Sequence, residues 1–321
     1  MKNIFKSLFN NKPEMQHIYN NKNSLFRELL YIENIHSKVF DYRDISELNP
    51  TNNLLITCEH ATNNIHQFKE VASEFDKKIL NTHWGYDPGA KDVALSLAEK
   101  SKLLLIYPNF SRLLIDPNRN LLSNTLIRSH VSFDSENDNN LLSQYNSKTT
   151  SIKQSDKIKG DHENNILLGN SCSIEVDMNS LKYQRKKSRI ELFYNPYYYL
   201  LYEVLEFLNP SAFISIHSFT KQYEDLPPRE YSIGLLYNKK TRLVNIIDTK
   251  FKEYNISFRH NEPYTAELCN AFYCMENYNF SRRTDGVLLE IRNDLATDDA
   301  FRDMLVDVLD KCITEFNLNN I

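Results

Sequence analysis

The chain has 321 residues, 41% hydrophobic and 25% charged, which suits one large α/β domain and excludes a disordered or fibrous chain. Its net charge of −4 gives no cationic field for nucleic acid, so an anionic small molecule would need a local cluster of arginines. No apolar run reaches the roughly 18 residues of a membrane span, the start Met1-Lys2-Asn3-Ile4-Phe5 opens no signal-type stretch, and five cysteines without a CxxC pair argue against a disulfide framework or cysteine zinc knuckle, so a cytoplasmic location is expected.

Residues 1–38 read as a polar N-terminal extension with a short helix over Ser24–Ile35, and residues 39–321 as a single domain. Leu54–Cys58 is an apolar run expected as a buried strand, and it runs into Glu59-His60-Ala61. A helix is expected from Phe68 to Leu80. Asp87-Pro88-Gly89-Ala90 opens a second helix, with Asp87 as its cap and Pro88 at its first position. Ala90, Val93, Ala94, Leu97 and Ala98 give that helix one apolar face. Leu103–Tyr107 is a further buried strand, followed by the loop Asn109–Arg119. From Asp134 to about Lys187 the chain is rich in Asn, Ser, Lys and Asp, a long excursion placed to cover a site. Ile190–Leu208 is a tyrosine-rich helix that Pro196 kinks or interrupts. Ala212–Ile216 is a strand ending in His217-Ser218, Tyr231–Tyr237 another, Lys239–Tyr254 a helix and Gly286–Arg292 a strand. The last helix, Asp298–Phe316, lines up Phe301, Leu305, Val308, Leu309, Cys312 and Phe316. Strands alternating with helices predict a three-layer α/β/α fold with a mixed, largely parallel sheet.

Three strand ends carry ionisable residues directly after apolar runs: His60, His217 and Glu290. In open α/β sheets the ligand crevice lies beyond the carboxyl ends of the strands. Burial there is costly for His or Glu unless a metal, an ion pair or a substrate compensates. Two imidazoles suit zinc, and a catalytic zinc wants a third protein ligand and an open position. Asp87 is preferred as that third ligand over His83, which can instead pack on Trp84, and over Glu59, which points away from His60 if the strand continues through both. Arg112 and Arg119 share one loop, and Arg292 lies two residues past Glu290 on the same strand face; guanidinium groups of this kind grip carboxylates. Asp116 in the same loop is read as an ion-pair partner of Arg112 or Arg119. Ser218, beside His217, joins Arg119 and Arg292 as a candidate substrate contact.

Five segments occur in the order and approximate spacing of a known family: Cys58-Glu59-His60-Ala61, His83–Ala90, Ser111–Arg119, Ser215–Thr220 and Leu289–Leu295. Over about residues 40–300 the chain resembles the N-formylglutamate amidohydrolase family, itself similar in fold to the zinc carboxypeptidases. The resemblance implies a phosphorylase/hydrolase-like α/β fold and hydrolysis of an N-acyl acidic amino acid, N-formyl-L-glutamate above all. It implies a zinc ion on His60 and His217 and Glu290 as proton carrier; the third ligand does not carry over from the resemblance, Asp87 being the preferred choice, and Arg112 is placed at the oxyanion or on a substrate carboxylate. Asn118 with Arg119, and Arg292, then hold substrate carboxylates. Two departures stand out. Asn63 occupies the place of the carboxypeptidase glutamate three residues after the first metal histidine, and Tyr198 replaces the histidine of the family's Pro-Tyr-His segment. The same hydrolysis on another N-acyl amino acid or a peptide, and a non-catalytic binding protein of this fold, are the alternative readings. Nothing in the sequence indicates an oligomeric state.

Overall fold

A computed structural model describes residues 37–40, 54–66, 72–133, 172–175, 184–222, 227–278 and 284–318. In chain order its strands are β1 (Ser37–Phe40), β2 (Leu54–Thr57), β3 (Leu104–Pro108), β4 (His130–Phe133), β5 (Cys172–Glu175), β6 (Ala212–Phe219), β7 (Ile233–Leu236), β8 (Phe258–His260) and β9 (Asp285–Arg292). Seven of them form the main sheet in the order β1-β3-β2-β6-β9-β7-β8, and β4 pairs with β5 as a separate antiparallel ribbon. The central strands β3, β2, β6 and β9 are parallel; β1 runs against β3 at one edge, and β7 runs against β9 at the other with β8 parallel to it.

The helices are α1 (Glu74–Ile79), α2 (Ala90–Ser101), α3 (Gln184–Arg189), α4 (Asn195–Leu208), α5 (Arg242–Glu253), α6 (Asn270–Glu276), α7 (Asn293–Ala296) and α8 (Asp299–Leu318). They cover both faces of the sheet, which is why its central strands are apolar at nearly every position. On one face Leu55, Ile106, Phe213 and Leu288 pack with Tyr197, Leu201 and Leu205 of α4 and with Phe272 and Met275 of α6. On the other, Ile56, Ile214, Ile216 and Leu289 pack with Val93 and Leu97 of α2, Leu243 and Ile247 of α5, and Leu305 and Leu309 of α8. The expected three-layer α/β/α fold with a mixed, largely parallel sheet is the observed one.

Several local expectations change. Helix α2 is not capped by Asp87: its N-cap is Gly89, in the left-handed region at φ 77°, and Pro88 precedes the cap instead of filling the first turn. A side chain at Gly89 would press into Ala296, so only glycine fits there. The Asp87 carboxylate is thereby left available for other partners. Strand β6 continues to Phe219, which brings His217 and Ser218 into the strand. Helix α4 is interrupted ahead of Pro196: a π-helical turn, Ile190–Tyr194, links α3 to α4, and Pro196 falls in the first turn of α4, directly after it. Helix α1 starts at Glu74 behind a reciprocal cap between Ser73 and Asp76, and the Phe68–Val71 part of the expected helix lies outside the described residues. Strand β1 straddles the boundary expected at residue 38. The helix expected at Ser24–Ile35 and most of the 134–187 excursion lie outside the described residues. Among the described residues no helix is long and apolar enough to cross a membrane.

Candidate metal centre

The chain brings three distant segments together at the carboxyl ends of β2, β6 and β9. His60 sits in the turn that follows β2, and its carbonyl accepts a hydrogen bond from the backbone N–H of Asp87 at 2.9 Å, tying that turn to the start of α2. His217 lies near the end of β6, directly opposite Glu290 in the β6–β9 register. The two imidazole rings are 4.8 Å apart between centroids and nearly perpendicular, at 77°. Asp87 lies between them. Its Oδ2 is 2.8 Å from Nδ1 of His217 and 3.3 Å from Nδ1 of His60, and it accepts the backbone N–H of Ser218 at 3.2 Å.

The outer nitrogens of both rings are held by carboxylates. Nε2 of His217 is 2.9 Å from Glu59 Oε2, and Nε2 of His60 is 2.8 Å from Asp116 Oδ1. Glu59 in turn accepts the hydroxyls of Ser215 at 2.7 Å and Tyr197 at 3.0 Å. Arg112 bridges the two aspartates, with Nη2 2.9 Å from Asp116 Oδ2 and Nη1 3.4 Å from Asp87 Oδ1. The backbone N–H of Asn118 also donates to Asp116, at 2.9 Å. All of these carboxylates and imidazoles are buried.

Burial works against ionisation throughout this cluster, and specific partners decide the outcome. Burial disfavours a charged Glu59, but the hydrogen bond and charge of His217, helped by Ser215, hold its pKa down at about 2. Asp87 and Asp116 are likewise held well below the usual carboxylate range, Asp87 by the two histidines and Asp116 chiefly by Arg112. His217 would be neutral by burial alone, yet its bonds to Asp87 and Glu59 push it up to about 10. Glu290 behaves differently. Burial raises its carboxyl to about 7, with Asp87 adding to the rise and His217 opposing it, and its Oε2 has no hydrogen-bond partner among the described residues.

His60, Asp87 and His217 each offer one ligand atom, and these atoms lie within 4.8 Å of one another, a grouping that could hold a metal ion once the atoms draw in to the roughly 4 Å that two bonds of about 2 Å can span. The carboxylates on the outer nitrogens fix both rings with Nδ1 facing Asp87, the outer-shell pattern of metal-binding histidines. Charge points the same way. With neutral imidazoles the buried group of Glu59, Asp87, Asp116 and Arg112 carries a net charge of −2, three carboxylates against one guanidinium, which a dication balances.

The other residues singled out from the sequence fall in several places. His83 packs beside Trp84, 4.8 Å between ring centroids, and burial lowers its pKa to about 4; it is not in the cluster. Glu59 is in it, as the partner that orients His217. Arg292 shares the strand face of Glu290, and its Nε is engaged by Asp294 at 2.7 Å. Ser218 turns its hydroxyl to the carbonyl of Pro88, Asn118 receives the backbone N–H of Ala271 on Oδ1, and Arg119 sends Nη1 toward the carbonyl of Leu268 at 3.4 Å. Tyr198 does not reach the cluster. Its hydroxyl donates to the carbonyl of Pro117 at 2.6 Å and receives the side-chain amide of Asn270, bracing the loop that carries Arg112 and Arg119. The sequence reading missed Asp116 as the partner of His60, and Ser215 and Tyr197 as partners of Glu59. Ser215 was within reach, being two residues before His217 on the same strand face; Tyr197 carried no signal.

A layered α/β sheet that gathers two histidines, an aspartate and an unpaired buried glutamate at its strand ends has the build of a hydrolase. The family model for N-formylglutamate amidohydrolase matches residues 52–297, and the chain belongs to that family. A crystal structure of a gene product from Agrobacterium tumefaciens is similar, with a TM-score of 0.63 at 21% identity over 89% of this chain and 95% of that one. The crystal structure of N-formylglutamate amidohydrolase from Ralstonia eutropha JMP134 is similar as well, with a TM-score of 0.56 at 16% identity over 88% of this chain and 97% of that one. At these identities the likeness is one of fold. No curated protein sequence gives a significant match.

Proposed function

We propose that this hydrolase cleaves the amide bond of an N-acyl acidic amino acid, with N-formyl-L-glutamate as its first candidate, giving formate and L-glutamate. The observation that carries the proposal is the meeting of His60, Asp87 and His217 beside Glu290, whose carboxylate has an oxygen left unpaired. His60, Asp87 and His217 would hold one divalent cation, zinc by the chemistry of two imidazole nitrogens and a carboxylate. When bound, zinc supplies Lewis acidity and makes water a better nucleophile at neutral pH.

The protein's own groups supply the rest. Glu290 takes the proton of the attacking water and returns it to the amide nitrogen as the C–N bond breaks, a role that a carboxyl near pKa 7 suits. Arg112, fixed by Asp87 and Asp116, provides positive charge for the oxyanion that forms at the acyl carbon. Arg119, on the loop shaped by Asn118, takes a substrate carboxylate, and Arg292 and Ser218 complete the substrate-facing edge. A cytoplasmic setting belongs to this reading, in keeping with four buried free cysteines among the described residues.

The test is formate release from N-formyl-L-glutamate with zinc supplied and again after chelation. Release that chelation abolishes is the expected result. No amine or formate from any member of a panel of N-acyl amino acids would overturn the proposal. Tyr198 in place of the family's histidine favours a second reading, the same hydrolysis on a different N-acyl amino acid or a peptide, and the panel separates the two.

A further inference from the structure

The arginines taken from the sequence as carboxylate binders all have acceptors in the fold: Arg112 spans two aspartates, Arg292 holds Asp294, and Arg119 reaches the carbonyl of Leu268. A fourth arginine, which the sequence did not bring forward, is placed differently. Arg229 follows β6 on the connection to β7. Its backbone N–H donates to the carbonyl of Lys221 at 2.8 Å, and Nη1 donates to the carbonyl of Thr220 at 2.9 Å. Its guanidinium lies against two aromatic rings, 5.5 Å from the centroid of Phe219 and 5.8 Å from that of Tyr264. It makes no ion pair with any described residue and is only partly buried.

Three observations place this guanidinium at the mouth of the site. Phe219 is two residues beyond His217 on β6, hence on the same strand face, and it pairs in register with Arg292. Gly234 on β7 pairs with Glu290, and a Cβ there would collide with the carbonyl oxygen of Glu262; the missing side chain lets the 262–264 segment cross beside the position of Glu290. Tyr264, at the end of that segment, is 45% exposed as a residue, while burial raises the pKa of its hydroxyl, with Glu290 and Asp87 adding to the rise and Arg229 and Arg112 opposing it. Arg229 and Tyr264 therefore lie near the proposed base, on the side of the sheet that carries it. An arginine stacked on aromatic rings keeps its planar edge fixed and its remaining N–H groups directed outward, an arrangement suited to a carboxylate.

We propose that Arg229, backed by Phe219 and Tyr264, is the specificity-determining residue that takes the side-chain carboxylate of the acidic substrate. That carboxylate is farther from the scissile amide than the α-carboxylate, as the rim is from Glu290. The inference rests on the hydrolase reading above.

Its test compares wild type with Arg229→Gln and Arg229→Lys, both loaded with zinc. KM and kcat are measured for N-formyl-L-glutamate and for N-formyl-L-glutamine, which has the same shape without the charge. Calorimetric binding of L-glutamate and L-glutamine gives a readout that needs no turnover. Arg229→Gln should weaken the acidic ligand about 10- to 100-fold relative to the neutral one, mainly in KM. Arg229→Lys, which keeps the charge and a similar stem, should fall between, and it decides the matter if the glutamine variant does not fold. Equal effects on both ligands, or none, overturn the inference while leaving the hydrolase reading intact. Absence of hydrolysis with the charge-selective loss of L-glutamate binding retained overturns the hydrolase reading and supports the role of Arg229. A wild-type chain that binds L-glutamate no better than L-glutamine also overturns it.

Discussion

Replacing Glu290 with Gln should make the metal-free protein more stable and the enzyme far slower. In the fold the carboxyl is buried, has an unpaired oxygen and is raised from 4.5 to about 7. A carboxyl with a raised folded-state pKa holds its proton longer than the unfolded chain does. Folding stability therefore falls as pH rises from about 4.5 to about 7, and the cost stays constant above that window. A rise of that size corresponds to about 3 kcal/mol, a substantial share of the roughly 5–15 kcal/mol of a typical domain. Glutamine resembles the neutral carboxyl in shape and cannot ionise, so it escapes the pH-dependent cost. Urea denaturation of the two chelated proteins, run from about pH 4 to about pH 8, should show the variant gaining up to about 3 kcal/mol on wild type over that range. Turnover of the zinc-loaded variant should drop by roughly two to four orders of magnitude with its metal content retained. A stability difference that is flat with pH would refute the claim that Glu290 is buried at the cost of its charge. Normal turnover would remove it as the proton carrier.

Glu59→Gln leaves His217 without the carboxylate that orients it, so zinc affinity should fall about 10- to 100-fold in chelator competition; unchanged affinity would show that Glu59 has no part in preparing the ring. Because His217 is pushed up to about 10 in the metal-free fold, a cation must displace its proton, and affinity should increase about tenfold per pH unit between roughly pH 6 and 9. A pH-independent affinity would mean that His217 is already neutral. Tyr198→Phe removes the hydroxyl that satisfies the Pro117 carbonyl and should cost about 1–3 kcal/mol in urea denaturation, whereas a variant as stable as wild type would show that the loop needs no brace there.

How much of this was legible in the sequence depends on whether a residue's partner is set by local periodicity or by the fold. His60, His217 and Glu290 announced themselves because each interrupts an apolar run where a parallel strand emerges from the sheet. Glu59 was underrated for a definite reason: strand alternation would point it away from His60, but β2 ends at Thr57, and the turn that follows brings both side chains into the cluster. Asp87 looked equally like a helix cap because Asp-Pro is a common helix start; Gly89, in the left-handed region, does that job and leaves the carboxylate to the histidines. Asp116 was visible as a partner for Arg112, which it is. Its second contact, to His60 from 56 residues away, is a product of packing that no spacing rule encodes. Arg229 follows two prolines on a connecting segment with no hydrophobic pattern to orient it, and only its packing against Phe219 and Tyr264 shows what it faces.

The cluster also sets a condition on the metal-free protein that can be tested without any substrate. Glu59, Asp87 and Asp116 are all buried, and one guanidinium, that of Arg112, opposes them. Without a cation the fold has to keep a proton on His217 between Asp87 and Glu59 and still bears Glu290 beside it. A dication bound to the native state alone compensates that charge and must stabilise the protein by mass action, about 2.7 kcal/mol at a free concentration a hundred times Kd. Denaturation of the wild-type protein with buffered zinc and with chelator should show a gain of that order. In His217→Ala, which lacks one of the three ligands, the gain should vanish at the same zinc concentration. A wild-type chain indifferent to zinc, or a variant that gains as much as wild type, would mean that the buried acids of this site are balanced by protons and Arg112 alone.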